Sequence, residues 1–300
     1  MKRSVVAFTL ALAACCAVPA RAALTLVDDG GRSVTLSAPA RRVVALAPNL
    51  VEMVEAVGAG AAIAGSLSGV GVTTKGVAVG DAQRLDVERI VALKPDLVLV
   101  WRGGNNGREL EQLAAAGLAL FALEPRRLAE VPRAIERIGT LFGREAAART
   151  RAKALRDELA GLRARYAAAS PVRVYYQVWA NPPMTLNHEH LISEVITLCG
   201  GRNVFAGLAQ LVPQVSAEAV VAADPQVMLT AREQSDGDLR WHRAPDDPAF
   251  AAWRHYHGIA AVRGRWLFTL PGDAISRQGP AIADGVRAVC EALDTVRAGR

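Results

Sequence analysis

Residues 87–100 read VERIVALKPDLVLV, and residues 217–230 read AEAVVAADPQVMLT. The second stretch restates the first 130 positions later, with Glu88 matched by Glu218, Ala92 by Ala222 and Pro95 by Pro225. Each copy is a short helical run, a proline that breaks it, and an apolar run that reads as a strand buried on both faces. A second pair repeats in the same way: LVEMVEAVGAG (50–60) and LISEVITLCGG (191–201) both read as a helix followed by a glycine stop. A chain that writes its helix–strand units twice is confined to two similar α/β lobes.

The elements between these repeats fill in the lobes. Arg42 to Ala47 is β-rich, Leu97 to Trp101 and Ala119 to Leu123 read as strands, and Leu110 to Ala116 as a helix. A helix over Leu128 to Phe142 ends at Gly143, and Arg144 to about Ala169 runs on without a breaker until Ser170-Pro171. Those ~26 residues would span about 39 Å, longer than one lobe needs. Alternation resumes with a strand over Val172 to Val178, helices over Leu191 to Leu198 and Ala217 to Ala223, a strand over Val227 to Thr230 and a closing helix over 280–297. The expected fold is α/β: two Rossmann-like parallel-sheet lobes joined by a single long backbone helix, with a ligand cleft between them. The divisions are a signal peptide over 1–22, an N-terminal lobe over 23–126, a helical linker over 127–170 and a C-terminal lobe over 171–300.

The N-terminus addresses the chain outward. Lys2 and Arg3 precede an apolar run from Val5 to Ala14, too short to span a bilayer, and Ala20-Arg21-Ala22 forms an A-x-A cleavage site. Leu12-Ala13-Ala14-Cys15 also fits the pattern before a lipidated cysteine, so a soluble and an anchored form both stay open; either is exported, to the periplasm. Export changes the cysteine arithmetic. Of four cysteines, Cys199 and Cys290 remain in the mature chain, where an oxidising compartment favours one disulfide over two buried thiols. Lys2, Arg3 and Arg21 account for three units of the formal net charge of +6, and in the +3 mature chain the basic residues are scattered with acidic ones among them. That pattern is no nucleic-acid footprint, and the chain is read as a monomer.

The motifs LDVERIVALKPDLVLVWRGGN, VYYQVWANPPMTLNHEHLISEVITLCGGRNVF, VPQVSAEAVVAADP and LPGDAISRQGP resemble the periplasmic vitamin B12-binding proteins of ABC importers. Those belong to the helical-backbone class of substrate-binding proteins, shared with siderophore and haem receptors. The resemblance runs from about Arg41 to Asp294. It implies that the chain is no enzyme, that it needs no cofactor, that cobalamin is its transported ligand, and that it hands this corrinoid to a membrane permease dimer. It also implies that Glu88 and Glu218 each pair with arginines on one permease subunit, and that Cys199 is bonded to Cys290. A negative charge in the first turn of a helix is favourable in any case, so both glutamates have a local reason to stand where they do.

For the ligand site, Trp101 ends a buried strand where an open parallel sheet meets its cleft, and its indole offers a flat face to a macrocycle. Arg102-Gly103-Gly104-Asn105 follows as close-approaching backbone with polar groups. The resemblance adds Met184, after Asn181-Pro182-Pro183, and Asp273 with Arg277 in GDAISRQGP, which contact the ligand's polar periphery or brace the cleft. A pair four residues apart could equally be a local surface ion pair. Three aromatic positions of the resembled pattern are missing: the stretch SLSGVGVTTKG (66–76) has none, Ala82 stands at the second and Val212 at the third. Trp179, Trp241 and Tyr256 are the candidate replacements. His188-Glu189-His190 and His255-Tyr256-His257 raise haem or an iron–siderophore as the alternative ligand. A periplasmic hydrolase is the different-class alternative, but the chain holds no G-x-S-x-G, H-E-x-x-H or phosphate loop.

Overall fold

A computed structural model describes residues 23–69, 72–232 and 239–299. The segment 1–22 read as a signal peptide, with Cys15, therefore lies outside the described residues, as do residues 70 and 71 within the stretch 66–76. The chain enters as a small antiparallel hairpin, β1 (Leu24–Val27) and β2 (Ser33–Leu36). The N-terminal sheet then follows: β3 (Val43–Ala45), α1 (Pro48–Ala56), β4 (Ile63–Ser66), β5 (Val77–Ala78), α2 (Val87–Ala92), β6 (Leu97–Val100), α3 (Gly107–Ala115) and β7 (Leu120–Ala122). Its five strands lie in the order β5-β4-β3-β6-β7, all parallel. The unbroken apolar run of β6 has its reason here. Leu97 and Leu99 point into one core cluster while Val98 and Val100 point into another on the opposite face.

Two helices leave this lobe, α4 (Glu130–Leu141) and α5 (Glu145–Tyr166). They pack so closely that a Cβ on Gly139 would stand 2.2 Å from the Ala148 Cβ, so only glycine permits the contact. At 22 residues, about 33 Å, α5 is shorter than the breaker-free run suggests. The Tyr166 hydroxyl donates to Asp294 Oδ2 at 2.8 Å, and the three residues after it turn the chain so that Val172 meets the Gly200 carbonyl. Tertiary contacts, not helix propensity, set that end.

The second lobe comprises β8 (Val172–Gln177), β9 (Trp179–Ala180), β10 (Pro183–Met184), α6 (Leu191–Leu198), β11 (Gly201–Asn203), α7 (Ala217–Ala223), β12 (Val227–Arg232), β13 (His242–Arg243), α8 (Ala260–Arg263), β14 (Leu267–Pro271), α9 (Gly272–Ile275) and α10 (Ile282–Ala298). Its sheet order is β11-β8-β12-β14-β13, parallel except for the edge strand β13. One core cluster runs from Val43 and Leu99 through Ile135 and Leu155 to Tyr176, Leu229 and Val289, so both sheets and the linking helices share it. Cys199, at the end of α6, is bonded to Cys290 of α10.

The sequence repeat survives as a repeat of hydrogen bonds. Asp86 accepts from the Arg89 N–H at the start of α2, and Ser216, 130 residues on, accepts from the Ala219 N–H at the start of α7. Lys94 and Asp224, again 130 apart and each before its proline, share a left-handed backbone (φ 47° and 41°). Asp96 and Gln226 accept from the backbone N–H of Arg42 and Arg173 respectively. Those two arginines in turn donate side-chain hydrogen bonds to the carbonyls of the residues that cap the C-terminal ends of α2 and α7, Leu93 O and Asp224 O.

Candidate functional site

The C-terminal ends of the two sheets meet at a charged floor. Helix α1 starts where β3 ends, and α9 starts where β14 ends. From just beyond α9, Arg277 reaches both ways: Nη1 lies 3.1 Å from Glu52 Oε1 of α1, and Nη2 lies 2.7 Å from Asp273 Oδ1. The loop that carries it is pinned. A Cβ on Gly279 would stand 2.7 Å from Glu52 Oε2, and Arg151 of α5 donates to the Pro280 carbonyl at 3.0 Å. Asp273 and Arg277 are thus no local surface pair but part of a brace tying the two lobes and the backbone helix. Burial pushes the Glu52 carboxyl above its usual range, against the pull of Arg277 in the other direction. Glu52 lies within the helical repeat, where its apolar neighbours conceal its role; its partner is 225 residues away.

On the N-terminal side, the motif WRGGN acquires a geometric meaning. The Asn105 side chain accepts from the Trp101 N–H at 2.8 Å and donates to the Leu46 carbonyl at 2.7 Å, which locks the end of β6 to the end of β3. The Trp101 indole lies over Gly104, where a Cβ would stand 2.4 Å from ring atoms. The half-buried Trp101 packs against the main core. Gly103 is exposed, with Glu124 Oε1 against it, and exposed Arg102 leans over the hairpin turn at Gly30.

On the C-terminal side, β8 runs out into the β9–β10 hairpin, whose turn carries a cis Asn181–Pro182 bond. Trp179 stands opposite Met184 in this ladder, and Met184 stands opposite Gln214 of the next segment. Met184 is half-buried and Trp179 is 62% exposed. The other two candidate aromatics stand elsewhere. Trp241 packs edge-on against Phe268 and donates to Glu291, and Tyr256 packs beside Trp253 in a cluster on the far face of the sheet. Val212 packs into the main core, and Ala82 is exposed on a loop. Near the two ends of stretch 66–76, the Lys75 N–H donates to Ser66 Oγ and the Lys75 side chain pairs with Glu55.

The two histidines before α6 have local partners. His188 Nδ1 bonds to the Ala206 carbonyl, and His190 Nδ1 accepts from the Ile192 N–H as the helix cap. Burial lowers the His190 pKa to about 4, so it is a neutral acceptor at ordinary pH. Glu88 and Glu218 are exposed, each the second residue of its helix. A helix that feeds a parallel strand begins at that sheet's C-terminal edge, so each glutamate stands on the cleft side of its own lobe. The Glu218 carboxyl is held below the usual range by its own backbone N–H and by Ser216. Separately, a depression of about 670 Å³ on the flank of the second lobe is lined by Arg127, Arg202, Glu194 and His188; of the residues named above for a ligand it takes in His188 and none of Trp101, Arg102, Gly103, Met184, Asp273 and Arg277.

Two α/β lobes thus share a core with a connecting helix and are joined near their strand ends by the Arg277 brace. The chain belongs to the periplasmic binding protein family, whose pattern matches residues 43–274. The vitamin B12-binding protein of Vibrio parahaemolyticus is 32% identical over 266 residues, 87% of this chain and 92% of that one. The crystal structure of the periplasmic vitamin B12 binding protein BtuF of Vibrio cholerae matches with a TM-score of 0.72 at 30% identity, covering 86% of this chain and 98% of that one. The periplasmic heme-binding protein RhuT of Roseiflexus sp. RS-1 matches at 0.69 over 84% of this chain and 98% of its own, but at 22% identity it shares the fold alone.

Proposed function

We propose that the mature chain captures cobalamin or a related corrinoid between its lobes and delivers it to an ABC importer. The observation that carries this reading is the 32% identity to a vitamin B12-binding protein over 87% of the chain. Trp101 supplies a flat apolar wall on one lobe and Met184 an adaptable one on the other. Arg102 and Gly103 present polar and close-approaching groups at the rim. Arg277 and Asp273 offer hydrogen-bonding capacity to the amide periphery of the ligand, with Glu52 holding the guanidinium in place.

The remaining roles follow from the same reading. Residues 1–22 direct export and are removed at Ala22, or Cys15 is lipidated; the body divides into a lobe over 23–126, a linker over 127–170 and a lobe over 171–300. Glu88 and Glu218 dock one lobe each onto a permease dimer, where exposed charges steer and orient more than they add affinity. The protein acts as a monomeric carrier and not as an enzyme. Because one core and the Arg277 brace join the lobes, closure on ligand is small; free and bound forms should give matching scattering profiles, and a large compaction would refute it.

Calorimetric titration of the mature protein with cyanocobalamin, beside haem in the same buffer, tests the ligand. One-to-one binding of cobalamin alone is expected. Binding of haem instead, or of neither, overturns the assignment.

A further inference from the structure

We propose that Trp179 is a stacking residue for the ligand, the aromatic wall of the C-terminal lobe; this rests on the corrinoid reading above. Its exposure is the first ground. Folding normally hides an indole, and the other tryptophans are accounted for: Trp253 is 1% exposed, Trp241 and Trp266 pack on Phe268, and Trp101 lies on Gly104. Trp179 is left 62% exposed and packs against none of the core clusters of the described residues.

Its setting is the second ground. The residue leaves the sheet at the C-terminal end of β8, the edge at which Trp101 leaves β6 in the other lobe. Open α/β sheets bind ligands at that edge. Residues opposite one another on neighbouring strands project to the same side, so Trp179 and Met184 form one continuous apolar lip with Gln214 beyond it. Below the lip, buried Gln177 bonds to the Trp253 indole and the Ala249 carbonyl, which anchors the strand from which the hairpin springs.

Hydrogen bonding is the third. The indole N–H already donates to the Asn181 carbonyl at 2.9 Å. The ring therefore needs no acceptor from a partner, and what it offers is a face held in place. A near-planar apolar macrocycle matches such a face, and a pre-ordered ring loses little freedom on contact.

The test is the cyanocobalamin Kd of the mature wild type, Trp179→Ala and Trp179→Phe, with melting curves for each. Trp179→Ala should raise Kd about tenfold and Trp179→Phe only a few-fold, because a smaller aromatic keeps part of the stack. Melting should stay within a degree or two, since the ring supports no core. A wild-type Kd retained by Trp179→Ala overturns the inference while leaving the corrinoid reading intact, and points the exposed face at another partner. A wild type that does not bind cobalamin overturns both. Equal losses in the two variants would also sink it, since stacking area is then not what the residue supplies.

Discussion

The two lobes share a duplicated scaffold and differ at their rims. The hydrogen bonds that secure the helix–strand junction recur at matching positions: Asp86 and Ser216 as caps, Arg42 and Arg173 on the helix ends. What lies beyond the strand ends does not recur. The first lobe finishes β6 with an indole laid on glycine and bolted by Asn105; the second finishes β8 with a hairpin that holds an indole in the open. The second lobe alone has a disulfide among the described residues, and it has an antiparallel edge strand. The repeat keeps what every βα unit needs to close and varies at the strand-end edges, where the two lobes present different surfaces.

The comparison breaks most visibly at the disulfide. Replacing Cys199 and Cys290 by serine should cost about 4 kcal/mol, because the bond closes a loop of about ninety residues in the unfolded chain. Urea unfolding measures this, and an unchanged midpoint would mean that the second lobe needs the bridge no more than the first.

A smaller asymmetry is tied to pH. With a folded pKa near 4 against about 6.5 unfolded, His190 leaves the native state binding fewer protons, so stability rises with pH through that window. This contribution is fully present above pH 6.5 and fades as pH falls toward 4, on the order of 2–3 kcal/mol. His190→Asn keeps a capping side chain without the titration, and should lose correspondingly less between pH 7 and pH 4. Parallel pH profiles of mutant and wild type would discard the assignment.

The two glutamates proposed to dock, Glu88 and Glu218, sharpen the symmetry itself. Glu88→Ala and Glu218→Ala should each slow transport a few-fold and together about tenfold, with cobalamin Kd unchanged. Transport into vesicles bearing the importer reads this, and an effect confined to one lobe would break the two-fold reading. The smallest effect separates Lys94 from Asp224. Both have left-handed backbones, so glycine should relieve strain at Lys94 and stabilise by roughly 0.5–1 kcal/mol. At Asp224 the same change removes the carboxylate that pairs with Arg173 and accepts from the Ala260 N–H, and should not stabilise. Equal thermal shifts in the two variants would show that these contacts contribute nothing.

Much of the framework is legible in local pattern. Helices over 191–198 and 217–223 fall where their apolar spacing and the Gly200 and Pro225 that follow them put them, and Pro95 and Pro225 mark the turns into β6 and β12. The C-terminal end of α5 and the partner of Arg277 are not legible, because each depends on residues more than a hundred positions away. Of three tryptophan and tyrosine candidates for the cleft, nothing in composition tells Trp179 from Trp241 or Tyr256. Their difference is which surface happens to cover them.

By itself the sequence settled the duplication, the parallel lobes, the long connecting helix and the family resemblance, because spacing, breakers and caps act over a few residues and need no partner. Only the tertiary structure decided that Arg277 joins Glu52 to Asp273, that Asn105 bolts Trp101 to the neighbouring strand, and that Trp179 stays uncovered. Those are contacts between distant segments, and burial and pairing of that kind exist only once the chain has closed on itself.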